Sequence, residues 1–530
     1  MSRGAASRVI VTTRCRQPGR STRVDRQIRG LRPSPCRLRS KATLDKRSAG
    51  VAYDDLRDWL THVEAMGDLR HIKGAHLDDD IGPITEISER SMTGPAVLFS
   101  DIPGFDAGRR ILVNPISSLD RVALTVGFPT GLSKADYCDL WLEKTRTITP
   151  IPPREVDDGP VMENVIRDGD VDLSSFPAPI WHRGDGGRYI GTGCVVITRD
   201  PDDNWINLGT YRVMVAGRNQ VTIYAAPGKH LAIVRDKLFE QGKPMPVAIS
   251  LGHDPAIFMG GSTPLPYGQS EYDYVGGLKN RAIDVLPCEL SGLPIPARSE
   301  LVLEGEISPT EKLPEGPFGE WPGYYASGQR TEYVTTIRRI YHRNAPIMVG
   351  TPPTKPPTGV GTALGTVRAA RVREEIRKAG IPDVKHVWFH EFGSRFFLAV
   401  SIKQRYAGHA AQVGHVATMC QGAAYMGRYV VVVDDDIDVY DTMDVMWAMA
   451  TRSDPVRDIN IIPRAWSDEL DPMVAQGNAE APFNSRAIID ATWPWEWRGK
   501  IPTVISLSPE ERAAALEKWG GILFGSSQAR

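Results

Sequence analysis

No two cysteines in this 530-residue sequence are spaced as CxxC, and the six present (Cys15, Cys36, Cys138, Cys194, Cys288, Cys420) are scattered along the chain. That pattern offers neither a disulfide framework nor a thiolate metal site, and a reducing compartment is the simpler reading. Long apolar runs are missing too. Val430 to Val433 in RYVVVVDDD is typical of the longest, far below the ~18 residues that cross a bilayer, so no membrane span is expected. Charge of one sign is also lacking. A net charge of −1 gives no field to recruit a polyanion, and nucleic acid is not an expected partner. The phosphate loop GxxxxGK[ST], the zinc motif HExxH and the nucleophile elbow GxSxG do not occur, and GxGxxG does not follow a strand as a dinucleotide fold requires. No internal repeat is visible.

What is present fits a globular, multidomain, cytoplasmic protein. Hydrophobic residues make up 41% and charged residues 24%, and domains cluster near ~100–200 residues, so two or three are expected. Residues 1–50 stand apart: they hold 14 Lys or Arg but only Asp25 and Asp45 as acids, with no apolar core of a secretory signal. A disordered tail or a misplaced start is the favoured reading, and a mitochondrial-type presequence the alternative.

Leu56, Leu60, Val63 and Met66 fall at helical spacing before Gly67, so an amphipathic helix opens the folded region and a first α/β region runs over 51–170. From Val171 the pattern turns to short β-rich runs (GCVVIT, YRVMVA, VTIYAA, PVAISL, AIFMGG, ELVLEGEI), with one helix near Leu231 to Gln241. A barrel or sandwich domain of α+β type is expected over 171–345. GTPPTKPPTGVG, with four prolines, reads as a linker or an ordered irregular loop, placed at 346–362. Alternating helical and strand patterns after it predict an α/β domain over 363–530.

The stretch LPEGPFGEWPGYYASG sets Glu315 and Glu320 five residues apart. Such a spacing turns by about 140° on a helix and reverses face on a strand, so only a turn aims both carboxylates at one point. Gly316, Pro317, Gly319 and Pro322 supply it. An arbitrary pair of this kind is a solvated surface loop; Phe318, Trp321, Tyr324 and Tyr325 argue for a packed one in which an acid's pKa is raised. Asn207, His230 and a later carboxylate offer oxygen and nitrogen ligands to a divalent ion such as Mn²⁺. Glu271, read as lying in a Gly/Pro-flanked loop, can supply that carboxylate, although spacing alone is a weak guide and a lone His at a helix start defaults to structure. The cluster Asp434, Asp435, Asp436, Asp438 and Asp441 follows a buried-looking strand and reads as capping aspartates before it reads as a metal site. His409 and His415 default to structural roles.

Taken together, HRGDGGRYIGTG, INLGTYRVMV, SLGHDPA, SEYDYVGG, SELVLEGEI, PEGPFGEWPGYY, RYAGHAAQV and VVVVDDDIDVYDTMDVMWAMATRSDP resemble the UbiD-type decarboxylases, from about residue 53 to 500. The resemblance implies a central split-barrel flavin-binding domain, a C-terminal α/β domain with a terminal helix, and assembly as a homodimer or homohexamer. It implies prenylated flavin mononucleotide delivered by a flavin prenyltransferase, and Mn²⁺ joined to the cofactor phosphate by Asn207, His230 and Glu271, often with K⁺ nearby. Thr192, the run Asn207, Leu208, Gly209, Thr210, Tyr211 and Arg212, and Lys229 beside His230 would line the cofactor. The family's acid–base trio falls on Glu315, Arg212 and Glu320, with Arg212 orienting the substrate carboxylate and Glu320 as proton donor.

The implied reaction is non-oxidative, reversible decarboxylation of an aromatic, heteroaromatic or α,β-unsaturated carboxylic acid through a covalent adduct with the flavin, which acts as electron sink. In that setting Trp321 and Tyr324 would wall Glu320 and raise its pKa. The ubiquinone-pathway enzymes carry an Asp-His pair where this chain has Glu320 and Trp321, which argues against a long prenyl-bearing hydroxybenzoate. The alternatives are a flavin oxidoreductase on the same barrel and a non-catalytic subunit of a multi-component decarboxylase.

Overall fold

The computed structural model describes residues 53–326, 328–423, 426–474 and 482–524. The basic segment 1–50 lies outside them. The described residues form a mixed α+β multidomain fold with four sheets. Its opening helix, Leu56–Ala65, buries Leu56, Trp59, Leu60 and Val63, and Asp55 caps it by accepting from the Arg57 and Asp58 amides. Met66, expected on the buried face, is 37% exposed.

The first sheet joins Leu69–Lys73, Ala96–Ser100, Arg110–Val113 and, from far along the chain, Ile347–Gly350. That last strand lies inside the expected linker 346–362. Residues 351–358 after it are irregular, and helix Gly359–Lys378 follows, capped by the Thr358 side chain on the Gly361 amide.

The expected split barrel is a nine-stranded sheet whose pairings are all antiparallel. Its order is Tyr189–Gly191, Val213–Val215, Gln220–Ile223, Arg330–His342, Leu301–Glu315, Met245–Leu251, Val195–Arg199, Ile206–Gly209, with Asn164–Arg167 beside Arg330–His342. The strand read from ELVLEGEI continues through a register shift after Ile307 as far as Glu315. The carboxylate pair therefore begins at a strand end, and the bend lies entirely between Gly316 and Glu320.

Two local readings are corrected. AIFMGG is a helix, Pro255–Gly261, because Asp254 accepts from the Ala256 amide and Pro255 opens the first turn; a short apolar run alone does not separate strand from helix. Glu271 is not in a loop but is the first residue of helix Glu271–Lys279, and only 3% exposed.

The C-terminal sheet runs Val384–Phe389, Phe397–Ile402, Tyr429–Asp434, Phe483–Ala491, Ile459–Trp466, with its three middle strands parallel. Val430 to Val433 are fully buried, as expected of a strand covered on both faces. The aspartates behind it behave as turn and ion-pair groups. Asp434 accepts from Gln404 and the Trp493 amide, Asp436 holds Arg452 at 2.8 Å through both oxygens, and Asp441 caps helix Thr442–Arg452. His409 is buried at a helix start, and His415 bonds the Ala411 carbonyl.

Candidate active site

The strand Ile206–Gly209 and the residues after it, Thr210 to Arg212, form one wall of a cavity of about 940 Å³. Thr192, Lys229, His230, Glu271, Phe318, Glu320 and Trp321 line it too, and Arg395, Trp466, Asp468 and Glu469 close it from the C-terminal domain. Eleven of the twelve residues expected to bind cofactor or act in catalysis thus face one space. Glu315 does not. It is fully buried behind Arg212.

The turn that joins the two acids is set by its backbone. Gly316 has φ +78°, a left-handed conformation that favours glycine. The Gly186 amide donates to the Pro317 carbonyl at 2.8 Å, and a side chain at Gly186 would meet the Gly316 carbonyl. The bend is therefore clamped against the 184–187 loop.

Arg212 sits between the two carboxylates. Its Nε and Nη2 donate to Glu315 at 2.9 and 2.8 Å, a bidentate pair, and its Nη1 donates to Glu320. Tyr189, a residue the sequence did not single out, donates its hydroxyl to Glu315 at 2.9 Å. Burial opposes the Arg212 charge, but Glu315 and Glu320 more than offset it and hold its pKa above the ordinary arginine value. Burial pushes Glu320 up to about 7; Arg212 pulls it down, and Asp468 and Glu315 add to the rise. Glu320 is thus poised to hold or release a proton near neutrality. Trp321 stands on the cavity wall, but Tyr324 is 61% exposed and is not part of it. The expected desolvation comes from Phe318, Trp321 and the facing C-terminal residues, because the turn throws Tyr324 outward.

A second group gathers at another part of the wall. The Asn207 amide nitrogen lies 3.1 and 3.2 Å from the Glu271 oxygens and 3.4 Å from His230 Nδ1, and the Leu208 amide donates to Glu271 at 2.7 Å. Burial raises the Glu271 carboxyl to about 7 against those donors, and burial with neighbouring Lys229 lowers His230. Asn207 Oδ1 is buried without a hydrogen-bond partner. A desolvated carboxylate, a neutral imidazole and an unpaired amide oxygen are the donor set of a borderline divalent cation, so these residues fit the expected metal.

Comparison with known proteins agrees with this architecture. Residues 154–356 match the 3-octaprenyl-4-hydroxybenzoate carboxy-lyase Rift-related domain, 362–491 its C-terminal domain and 60–138 its N-terminal domain. The chain is 31% identical over 497 residues to a pyrrole-2-carboxylic acid decarboxylase of Pseudomonas aeruginosa, covering 89% of this chain and 99% of that protein. It is 32% identical over 476 residues to a phenolic acid decarboxylase of Escherichia coli O157:H7, covering 88% and 98%. Among solved structures, the UbiD-class enzyme HmfF of Pelotomaculum thermopropionicum in complex with FMN superposes with a TM-score of 0.77 at 27% identity over 88% of this chain and all of that one. An evolved dimeric form of the same enzyme in complex with prFMN gives 0.75 at 26% identity, covering 88% and 99%. With all three domains matched in order and close relatives aligned over almost their whole length, the chain belongs to the UbiD family and is a carboxy-lyase.

Proposed function

We propose that this protein catalyses the non-oxidative, reversible decarboxylation of a compact aromatic, heteroaromatic or α,β-unsaturated carboxylic acid. The observation that carries the reading is the Glu315–Arg212–Glu320 arrangement at the wall of a cavity large enough for both a flavin and a small acid. Arg212 is the fixed cation that orients the substrate carboxylate, and Glu315 is its counter-ion on the side away from the cavity. Glu320 delivers a proton to the carbon that loses CO₂, and in the reverse direction removes it.

Prenylated FMN is the cofactor proposed. When bound it supplies an electron sink for the carbon–carbon bond cleavage. The backbone from Asn207 to Arg212 and Thr192 would hold it, with Lys229 and an ion on Asn207, His230 and Glu271 offsetting its phosphate charge. Mn²⁺ suits that donor set, and K⁺ nearby follows from the family resemblance. A flavin prenyltransferase would supply the cofactor, and the chain would assemble as a homodimer or homohexamer.

The test is the protein co-produced with a flavin prenyltransferase. Its bound flavin should have the mass of the prenylated form, Mn²⁺ should co-purify, and CO₂ should be released from members of a panel of small aromatic and acrylic acids. Glu320→Gln should keep the flavin yet lose turnover and substrate-proton exchange; full activity in that variant would overturn the assignment.

A further inference from the structure

Tyr224 lies just beyond strand Gln220–Ile223, is 7% exposed, and lines the cavity. The Arg212 guanidinium stands 4.3 Å from the centre of its ring and that of Arg330 4.0 Å. Its hydroxyl donates to Glu469, which belongs to the C-terminal domain. Tyr224 thus touches the proposed carboxylate-orienting arginine with its ring face and the opposite wall of the cavity with its hydroxyl.

The loop that carries Glu469 is pinned on its own side. Asp471 is fully buried and accepts from Arg428, from Ser467 Oγ at 2.9 Å and from Asn484 at 2.7 Å. Arg486 donates to the Trp466 carbonyl at 2.6 Å where the loop begins. The Tyr224–Glu469 bond links this loop to the large sheet.

We propose that Tyr224 is a positioning residue: by binding Glu469 and supporting Arg212 at once, it ties the seating of the 467–474 loop to the placement of the guanidinium. The inference rests on the role of Arg212 given above. When the loop is seated, the Tyr224 ring is held against Arg212 and the cation is fixed in direction. When the bond is lost, the ring and the guanidinium gain freedom together, and the carboxylate is bound less well.

The experiment compares Tyr224→Phe, which keeps the ring and removes the hydroxyl, with Glu469→Ala and Glu469→Gln in the full chain loaded with flavin. Hydrogen exchange over residues 467–474 should quicken about tenfold in Y224F and E469A, the size set by the loss of one hydrogen bond, and by less in E469Q, whose amide oxygen still accepts. KM should rise in Y224F and E469A, and the double variant should cost no more than either alone. Loss of folded protein lowers kcat only, so the rise in KM marks positioning. Unchanged exchange in Y224F, or independent effects that multiply in the double variant, would overturn the proposal. If Y224F does not fold, E469A makes the same comparison from the other end of the bond. Should the native enzyme release no CO₂ from any acid, the functional reading falls, while the exchange comparison still judges the link.

Discussion

Two carboxylates on one arginine do different work because their surroundings differ. Glu315 has no exposed surface and bonds Arg212 twice, whereas Glu320 faces the cavity. Removing Glu315 strands a buried cation, so Glu315→Ala should cost about 3–5 kcal/mol of stability, read from denaturant unfolding, and Glu315→Gln clearly less. The raised Glu320 carboxyl, at about 7, has a sign that can be checked. Its proton-donating form is lost as pH rises through that value, so kcat/KM for decarboxylation should fall on the alkaline side. Asp468 adds to the rise, so Asp468→Asn should lower the Glu320 pKa and move that limb to lower pH; a limb that does not move would detach Asp468 from the acid. Residue types and motif order carried Glu315, Arg212 and Glu320 in the sequence. Tyr189, Tyr224 and Asp468 could not be read there, because each acts on a partner that folding alone brings near: Tyr189 bonds Glu315 across 126 positions and Tyr224 bonds Glu469 across 245.

Elements were legible where hydrophobic period and punctuation agreed. Helix His230–Glu240 differs from the expected Leu231 to Gln241 by one residue at each end. The failures share a cause. AIFMGG and the region of Glu271 are short apolar or Gly-flanked stretches in which period alone does not separate strand, loop and helix; Asp254 caps the first helix, while Ser270 before the second makes no side-chain cap bond. The long Leu301–Glu315 strand was cut short because its exposed, polar middle (Ser308 to Lys312) carries no apolar alternation. That strand matters to the site because it delivers Glu315 to the brink of the bend. Gly316→Ala should cost about 1–2 kcal/mol, since an L-residue is forced into left-handed backbone, and should depress turnover by shifting Glu320 relative to Arg212. Urea unfolding and steady-state rates measure the two effects separately.

At the scale of the molecule the cavity is shared property: the large sheet provides Arg212, the C-terminal domain provides Arg395, Trp466 and Asp468, and residues 351–354 run between them. Among the described residues no helix is long and apolar enough to cross a membrane. The final helix, Pro509–Phe524, nonetheless leaves Leu516, Trp519, Ile522, Leu523 and Phe524 uncovered. Ending the chain after Ser508 should therefore reduce the assembled mass seen by light scattering, as expected if that helix joins copies of the chain. The segment that begins at Ile347 bears on how such proteins diversify. It is in turn an edge strand of the first sheet, a stretch of cavity wall and the cap of the helix beneath the C-terminal sheet. A crossover between relatives inside it would exchange part of the substrate wall together with the domain, so chimeras joined there inherit a mixed selectivity. Chimeras joined after Lys378 keep residues 351–354 of one parent but still exchange Arg395, Trp466 and Asp468, so the choice of junction within this segment decides which part of the wall travels with the domain.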